Sequence, residues 1–132
     1  MLKNLSTFLL ILTLSVCAVW AGDVEDADAA ILKKDYATAL KKYKLAAAKN
    51  DAYAQLQVGS IYYEGIGVKQ DYTESIRWYK LAATQGNTTA QYNLGFIYGK
   101  GLGVVVDHAE AVRWYTLAAG QGSASLSATI SP

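Results

Sequence analysis

A thirteen-residue phrase recurs in this chain at a constant interval. It reads DYATALKKYKLAA at Asp35–Ala47, DYTESIRWYKLAA at Asp71–Ala83 and DHAEAVRWYTLAA at Asp107–Ala119, each copy beginning 36 residues after the one before. Equal intervals without insertion are what stacked copies of one supersecondary unit leave in a sequence, because each unit meets its neighbours through the same contacts. The apolar positions inside the phrase fall at helical spacing. Ala39, Leu40, Tyr43, Ala46 and Ala47 share one face of a helix over Tyr36–Lys49, and Ile76, Tyr79, Ala82 and Ala83 repeat that face. Proline is confined to Pro132, at the end of the chain. The expected fold is all-α, an α/α solenoid of stacked antiparallel helix hairpins.

Between the copies lies a second helix, Ala52–Tyr63, whose stripe of Ala54, Val58, Ile61 and Tyr62 returns as Ala90, Leu94, Ile97 and Tyr98. Gly59 and Gly95 sit inside these helices at one register. Glycine there costs about 1 kcal/mol against alanine, so its return implies a neighbour too close to admit a β-carbon. Each of these helices stops at a Gly-x-Gly-Val segment, EGIGVKQD at Glu64–Asp71 and KGLGVVVD at Lys100–Asp107. Gly65 and Gly101 are placed to supply the left-handed residue that ends a helix. A phosphate loop has the opposite order, with glycines leaving a strand and opening a helix. The pairs Asp71/Glu74 and Asp107/Glu110 read as an N-cap plus a carboxylate reaching back to it. Trp78 and Trp114, recurring beside the apolar stripe, read as packing between units.

The two ends depart from the pattern. Residues 1–21, MLKNLSTFLLILTLSVCAVWA, have the layout of a secretory signal peptide: Lys3, an apolar centre from Leu5 to Val19, and small residues before a cut after Ala21. The competing reading is a retained membrane anchor, since the uncharged run Asn4–Gly22 is long enough to span a bilayer. The expected organisation is then a signal peptide 1–21, a partial N-terminal capping repeat 22–50, repeats 51–86 and 87–122, and a degenerate tail 123–132. The protein is expected to be exported, periplasmic or secreted, with membrane contact only if the first segment is kept. At the other end SASLSATISP keeps neither the mid-helix glycine nor the tyrosine. The apolar side of the helix from His108 is therefore expected to be covered by docking of Ser123–Ile130 over Tyr115 and Ala118, or by self-association.

Chemistry is sparse. Cys17 is the only cysteine and His108 the only histidine, so no disulfide framework, zinc site or cysteine nucleophile can be assembled beyond residue 21. No metal, cofactor or catalytic residue is expected. The formal charge is +1, and without Lys3 the remaining 11 basic and 11 acidic residues balance, which gives no electrostatic reason to expect nucleic acid. Lys33, Lys34, Lys41, Lys42, Lys44 and Lys49 suit the polar outer face of a capping unit.

The assembled unit, A-Q-x-x-[LV]-G-x-I-Y-x-x-G-x-G-V-x-x-D-x-x-E-[SA]-[IV]-R-W-Y-x-L-A-A-x-x-G, resembles the Sel-one-like repeat family, helical-hairpin relatives of the tetratricopeptide repeat. The match covers Asp51–Gly122 well and Ala29–Asn50 in part, the first unit having Lys42 in place of tryptophan and Thr38 in place of the capping acid. The resemblance implies a solenoid used as an adaptor or scaffold, often exported in bacteria. Some exported relatives are cysteine-bridged, and this chain departs from that subset.

The function expected is a non-catalytic scaffold that binds a protein or peptide through the concave helical surface. The rival classes are a periplasmic enzyme acting on cell-wall material and a membrane-tethered accessory subunit. Positions beside the packing stripe of the second helix are the candidate contacts: Tyr53, Gln57, Ser60 and Glu64 in one unit, and Thr89, Asn93, Phe96 and Lys100 in the next. They differ between units where the scaffold positions agree.

Overall fold

The computed structural model describes residues 22–130, with side chains to Gln121. The signal-peptide and anchor readings of residues 1–21 lie outside the described residues. Six helices and no strand occur among them: α1 over residues 22–32, α2 Tyr36–Ala48, α3 Ala52–Glu64, α4 Tyr72–Thr84, α5 Thr88–Lys100 and α6 His108–Ile130. From α2 onward each helix packs on the next, the pattern of stacked hairpins. No helix among the described residues is long and apolar enough to cross a membrane.

Short polar residues start the helices. The side chains of Asp35, Asp51, Asp71, Asn87 and Asp107 each accept a hydrogen bond from the backbone amide three residues on, at 2.8–3.2 Å, which satisfies an otherwise orphaned donor of the first turn. The reciprocal half of the expected capping box is absent. The amide of Asp71 donates to the Tyr62 carbonyl at 2.9 Å and that of Asp107 to the Tyr98 carbonyl at 2.9 Å, so neither needs a glutamate. Glu74 turns outward instead, accepting from the Arg77 guanidinium at 3.1 Å and from Trp78 Nε1 at 3.2 Å. At the other end of α3 and α5, Gly65 and Gly101 take φ of 71° and 70°, as a left-handed cap requires.

The units are joined by repeated contacts. The side chain of Gln55, buried, donates from Nε2 to the Ala47 carbonyl at the end of α2, and 36 residues later Gln91 does the same to Ala83 at the end of α4. Each glutamine thus caps the helix of the preceding unit. The second glycine of each loop, Gly67 and Gly103, lies against the Cβ of Tyr36 and Tyr72 respectively, the first residue of the preceding unit's outer helix. Trp78 is buried in the cluster that also holds Ala39, Tyr43, Ala46 and Ala47 of α2, so the tryptophan contributes to the core shared between units.

The lysine-rich first unit is less solvated than its composition implies. Lys42, which stands where later units have tryptophan, bridges to Asp23 at 3.1 Å and Asp26 at 3.0 Å, while Lys49 reaches Asp23 at 2.9 Å. These pairs tie α1 to α2. Lys44 donates to the Tyr62 hydroxyl at 2.8 Å, leaving Lys33, Lys34 and Lys41 as exposed charge. At the C-terminal end, α6 runs without a break through residue 122 to Ile130. A continuous helix cannot fold back on itself, so in this structure the segment 123–130 does not dock over Tyr115 and Ala118.

Candidate functional site

α3 and α5 turn one side toward the preceding helices and the other toward a groove. Tyr53, Gln57, Ser60 and Glu64 recur every three or four residues and so share a face of α3. With Asp28, Ile31 and Leu32 of α1 and Tyr43 of α2 they line a cavity of about 500 Å³. A second cavity of about 310 Å³ is lined by Ser60, Tyr63 and Glu64 of α3, Tyr79 of α4, and Tyr92, Asn93 and Phe96 of α5. Ser60 and Glu64 line both, so the two cavities adjoin along that edge of α3 and together form the groove. Six of the eight residues expected from the sequence therefore meet: Tyr53, Gln57, Ser60, Glu64, Asn93 and Phe96. Thr89 lies apart, in a third cavity toward the C-terminal end with Thr88, Tyr92, Tyr115, Ala118 and Ala119. Lys100, exposed at the last turn of α5, lines none of the three.

The floor is a row of phenols. Tyr43 and Tyr79 are each 2% exposed, but their hydroxyls reach the groove. Tyr43 donates to the Asp28 carboxylate, Tyr53 donates to the same oxygen at 3.4 Å, and the Tyr79 and Ser60 hydroxyls are 3.1 Å apart. Burial holds the phenols of Tyr43, Tyr53 and Tyr79 above their ordinary range, and the charge on Asp28 adds to the shift at the first two. They remain donors. Ser60 also bonds the Leu56 carbonyl at 3.1 Å, so its hydroxyl is partly committed to the scaffold.

Asp28, Tyr92 and the Tyr79 hydroxyl were not legible as site residues. Asp28 stands among four acids at the start of the chain, and only the fold separates their roles. Asp23 and Asp26 pair with lysines, whereas Asp28 faces the groove with phenol partners and no cation. Elsewhere the acids are used up: Asp35, Asp51, Asp71 and Asp107 cap helices, and Glu74 and Glu110 pair with Arg77 and Arg113. Glu64 has no such engagement. The groove thus has exposed aromatic rims, at Tyr53 (44% exposed) and Phe96 (38%), amides at Gln57 and Asn93, and two carboxylates without a counter-ion. No cluster of three or more His, Cys, Asp or Glu able to hold a metal occurs among the described residues. His108 is exposed at the first turn of α6.

Three successive stretches of the chain, residues 28–51, 52–87 and 88–123, match the Sel1 repeat. Among curated proteins none matches. Among solved structures the chain is similar to a protective antigen present in uropathogenic Escherichia coli strains that displays an SLR fold, at 46% identity and a TM-score of 0.64 over 66% of this chain and 19% of that one. It is also similar to a Sel1 repeat protein from Oxalobacter formigenes, at 35% identity and a TM-score of 0.70 over 74% of this chain and 40% of that one. The chain therefore spans about a fifth and two fifths of the length of those two structures.

Proposed function

The chain belongs to the Sel1 repeat family, whose members generally mediate protein–protein interaction and are typically non-catalytic scaffolds, and from that premise we propose that it is an exported scaffold gripping one polypeptide partner. The grip is the groove between Leu32 and Phe96. The observation that carries this is convergence: six positions that vary between units line two adjoining cavities, while the agreeing stripe of the same helices, Ala54/Ala90, Gln55/Gln91 and Ile61/Ile97, is buried. Aromatic side chains at Tyr53, Tyr92 and Phe96 are the residue types that dominate binding hot spots.

The same groove favours a partner segment with a basic side chain. The stem of a lysine or arginine would lie on Ile31 and Ile61 and its charged head would face Asp28 and Glu64, which line that cavity together. Export rests on the layout of residues 1–21, and similarity to a protein described as a protective antigen supports it. A photo-crosslinking side chain installed at Gln57, at Asn93 and, as an outer-helix control, at Leu81 tests the reading in the native envelope. One partner should crosslink from 57 and 93 and not from 81. A partner captured only from 81 would contradict it.

A further inference from the structure

The third unit carries the same punctuation as the first two, but its helix ignores it. α2 and α4 are 13 residues each, closed by Lys49 and Gln85; then come Asn50 and Gly86, with φ of 68° and 91°, and then the N-caps Asp51 and Asn87. The corresponding residues in the third unit are Gln121, Gly122 and Ser123. They offer an identical Gln-Gly pair and a residue type that caps helices well. α6 nevertheless continues for 23 residues, to Ile130.

Two features show what the third unit lacks. In the second unit Gln85 Nε2 donates to Gln55 Oε1 at 2.8 Å. The counterpart pair is Gln91 and Gln121, and Gln91, 2% exposed, has an Oε1 with no partner, a costly state for a buried acceptor. Tyr79, Ala82 and Ala83 are buried in one cluster with Ala90 and Leu94 of α5. Their counterparts Tyr115, Ala118 and Ala119 line an open cavity of about 510 Å³. The residues 36 positions beyond Ala90 and Leu94 are Leu126 and Ile130.

We infer that this cavity is the docking surface for the chain's own residues 123–130. α6 has a second state in which it ends at Gln121, turns at Gly122 and lays a seventh helix, capped by Ser123, across Tyr115, Ala118 and Ala119. Leu126 and Ile130 take the register of Ala90 and Leu94, and Gln121 becomes the donor that Gln91 Oε1 lacks. The two states exclude each other, because residue 122 is helical in one and left-handed in the other. Tyr92 lines both this cavity and the groove, so closure also fixes where the groove ends.

The test is a sign reversal between two glycines of the full chain. Within a continuous helix alanine stabilises at either site, whereas a left-handed residue is penalised on gaining a β-carbon. Thermal unfolding of Gly120→Ala should therefore move to higher temperature, and that of Gly122→Ala to lower. The double variant Leu126→Ser/Ile130→Ser should also unfold at lower temperature, with all forms monomeric by light scattering. The inference is overturned if Gly122→Ala stabilises as Gly120→Ala does, or if the double variant matches the parent. It is equally overturned if the parent is a dimer that the double variant dissociates, since the occupant is then a second copy.

Discussion

The ring of Tyr79 lies directly on Gly59: a β-carbon at that glycine would stand 2.6 Å from Tyr79 Cδ1 and 2.7 Å from Cε1. Gly95 and Tyr115 repeat the contact, with 2.8 Å to Cδ1. The tyrosine that supplies a hydroxyl to the groove is therefore positioned by the absence of a side chain on the helix beside it. Gly95→Leu should destabilise by about 1–3 kcal/mol through overpacking, despite the better helix propensity of leucine. Chemical denaturation measures this, and an unchanged midpoint would mean that the ring moves aside freely.

The loop glycines give a second expectation. Gly67 has φ of 68° and a β-carbon there would meet Tyr36 Cβ at 2.5 Å, so Gly67→Ala meets both backbone strain and a clash with the preceding unit. The left-handed backbone alone costs about 1–2 kcal/mol. Gly22→Ala, in the first turn of α1 at a site with nothing within 4 Å, serves as the control and should not lower the denaturation midpoint.

Caps and carboxylate pairs separate in the same measurement. Asp71→Ala removes the acceptor for the Glu74 amide and should cost about 0.5–2 kcal/mol. Glu74→Gln loses an exposed pair with Arg77 and should cost about 0–1 kcal/mol. Equal losses would indicate that the glutamate has a capping role after all.

How much of this was legible follows from what repeats. Gly59, Gly65, Asp71, Trp78 and Tyr79 could be assigned because packing against an identical neighbour forces the same residue at the same register, and a 36-residue interval exposes that. Asp28 could not, because α1 has no earlier copy to be compared with and its role depends on where the α1–α2 turn aims it. The direction of Glu74 was hidden for another reason: the Asp71 amide is satisfied by Tyr62 across the loop, a tertiary bond that no local motif announces. Thr89 and Lys100 share the spacing of the groove residues, but they lie toward opposite ends of α5 and outside the stretch that α3 faces.

Acid should loosen the N-terminal end first. Hydrogen bonds from Lys49 and Lys42 hold the Asp23 carboxyl below its ordinary 3.8. A depressed folded-state value means that this stabilisation is present above about pH 3.8 and is lost as pH falls further, through the folded-state value. At the alkaline end, Asp26 and Asp23 raise Lys42 above 10.5, so its share is present below that pH and lost above it. Asp23→Asn should flatten the acid limb of the stability–pH curve. An acid limb identical to the parent's would show that α1 is held by its apolar contacts alone.

The central claim is that the partner is held in the groove, and affinity is its most direct test. Once the crosslinked partner is in hand, its dissociation constant is measured for the parent, for Tyr53→Ala, for Phe96→Ala, and for Lys41→Ala on the exposed face of α2. Truncating an aromatic hot-spot residue costs about 2 kcal/mol or more, so the two groove variants should bind at least tenfold more weakly, while Lys41→Ala binds as the parent does. Normal binding by both folded groove variants, with binding lost in Lys41→Ala, would contradict the account and move the site to the basic face of the first unit.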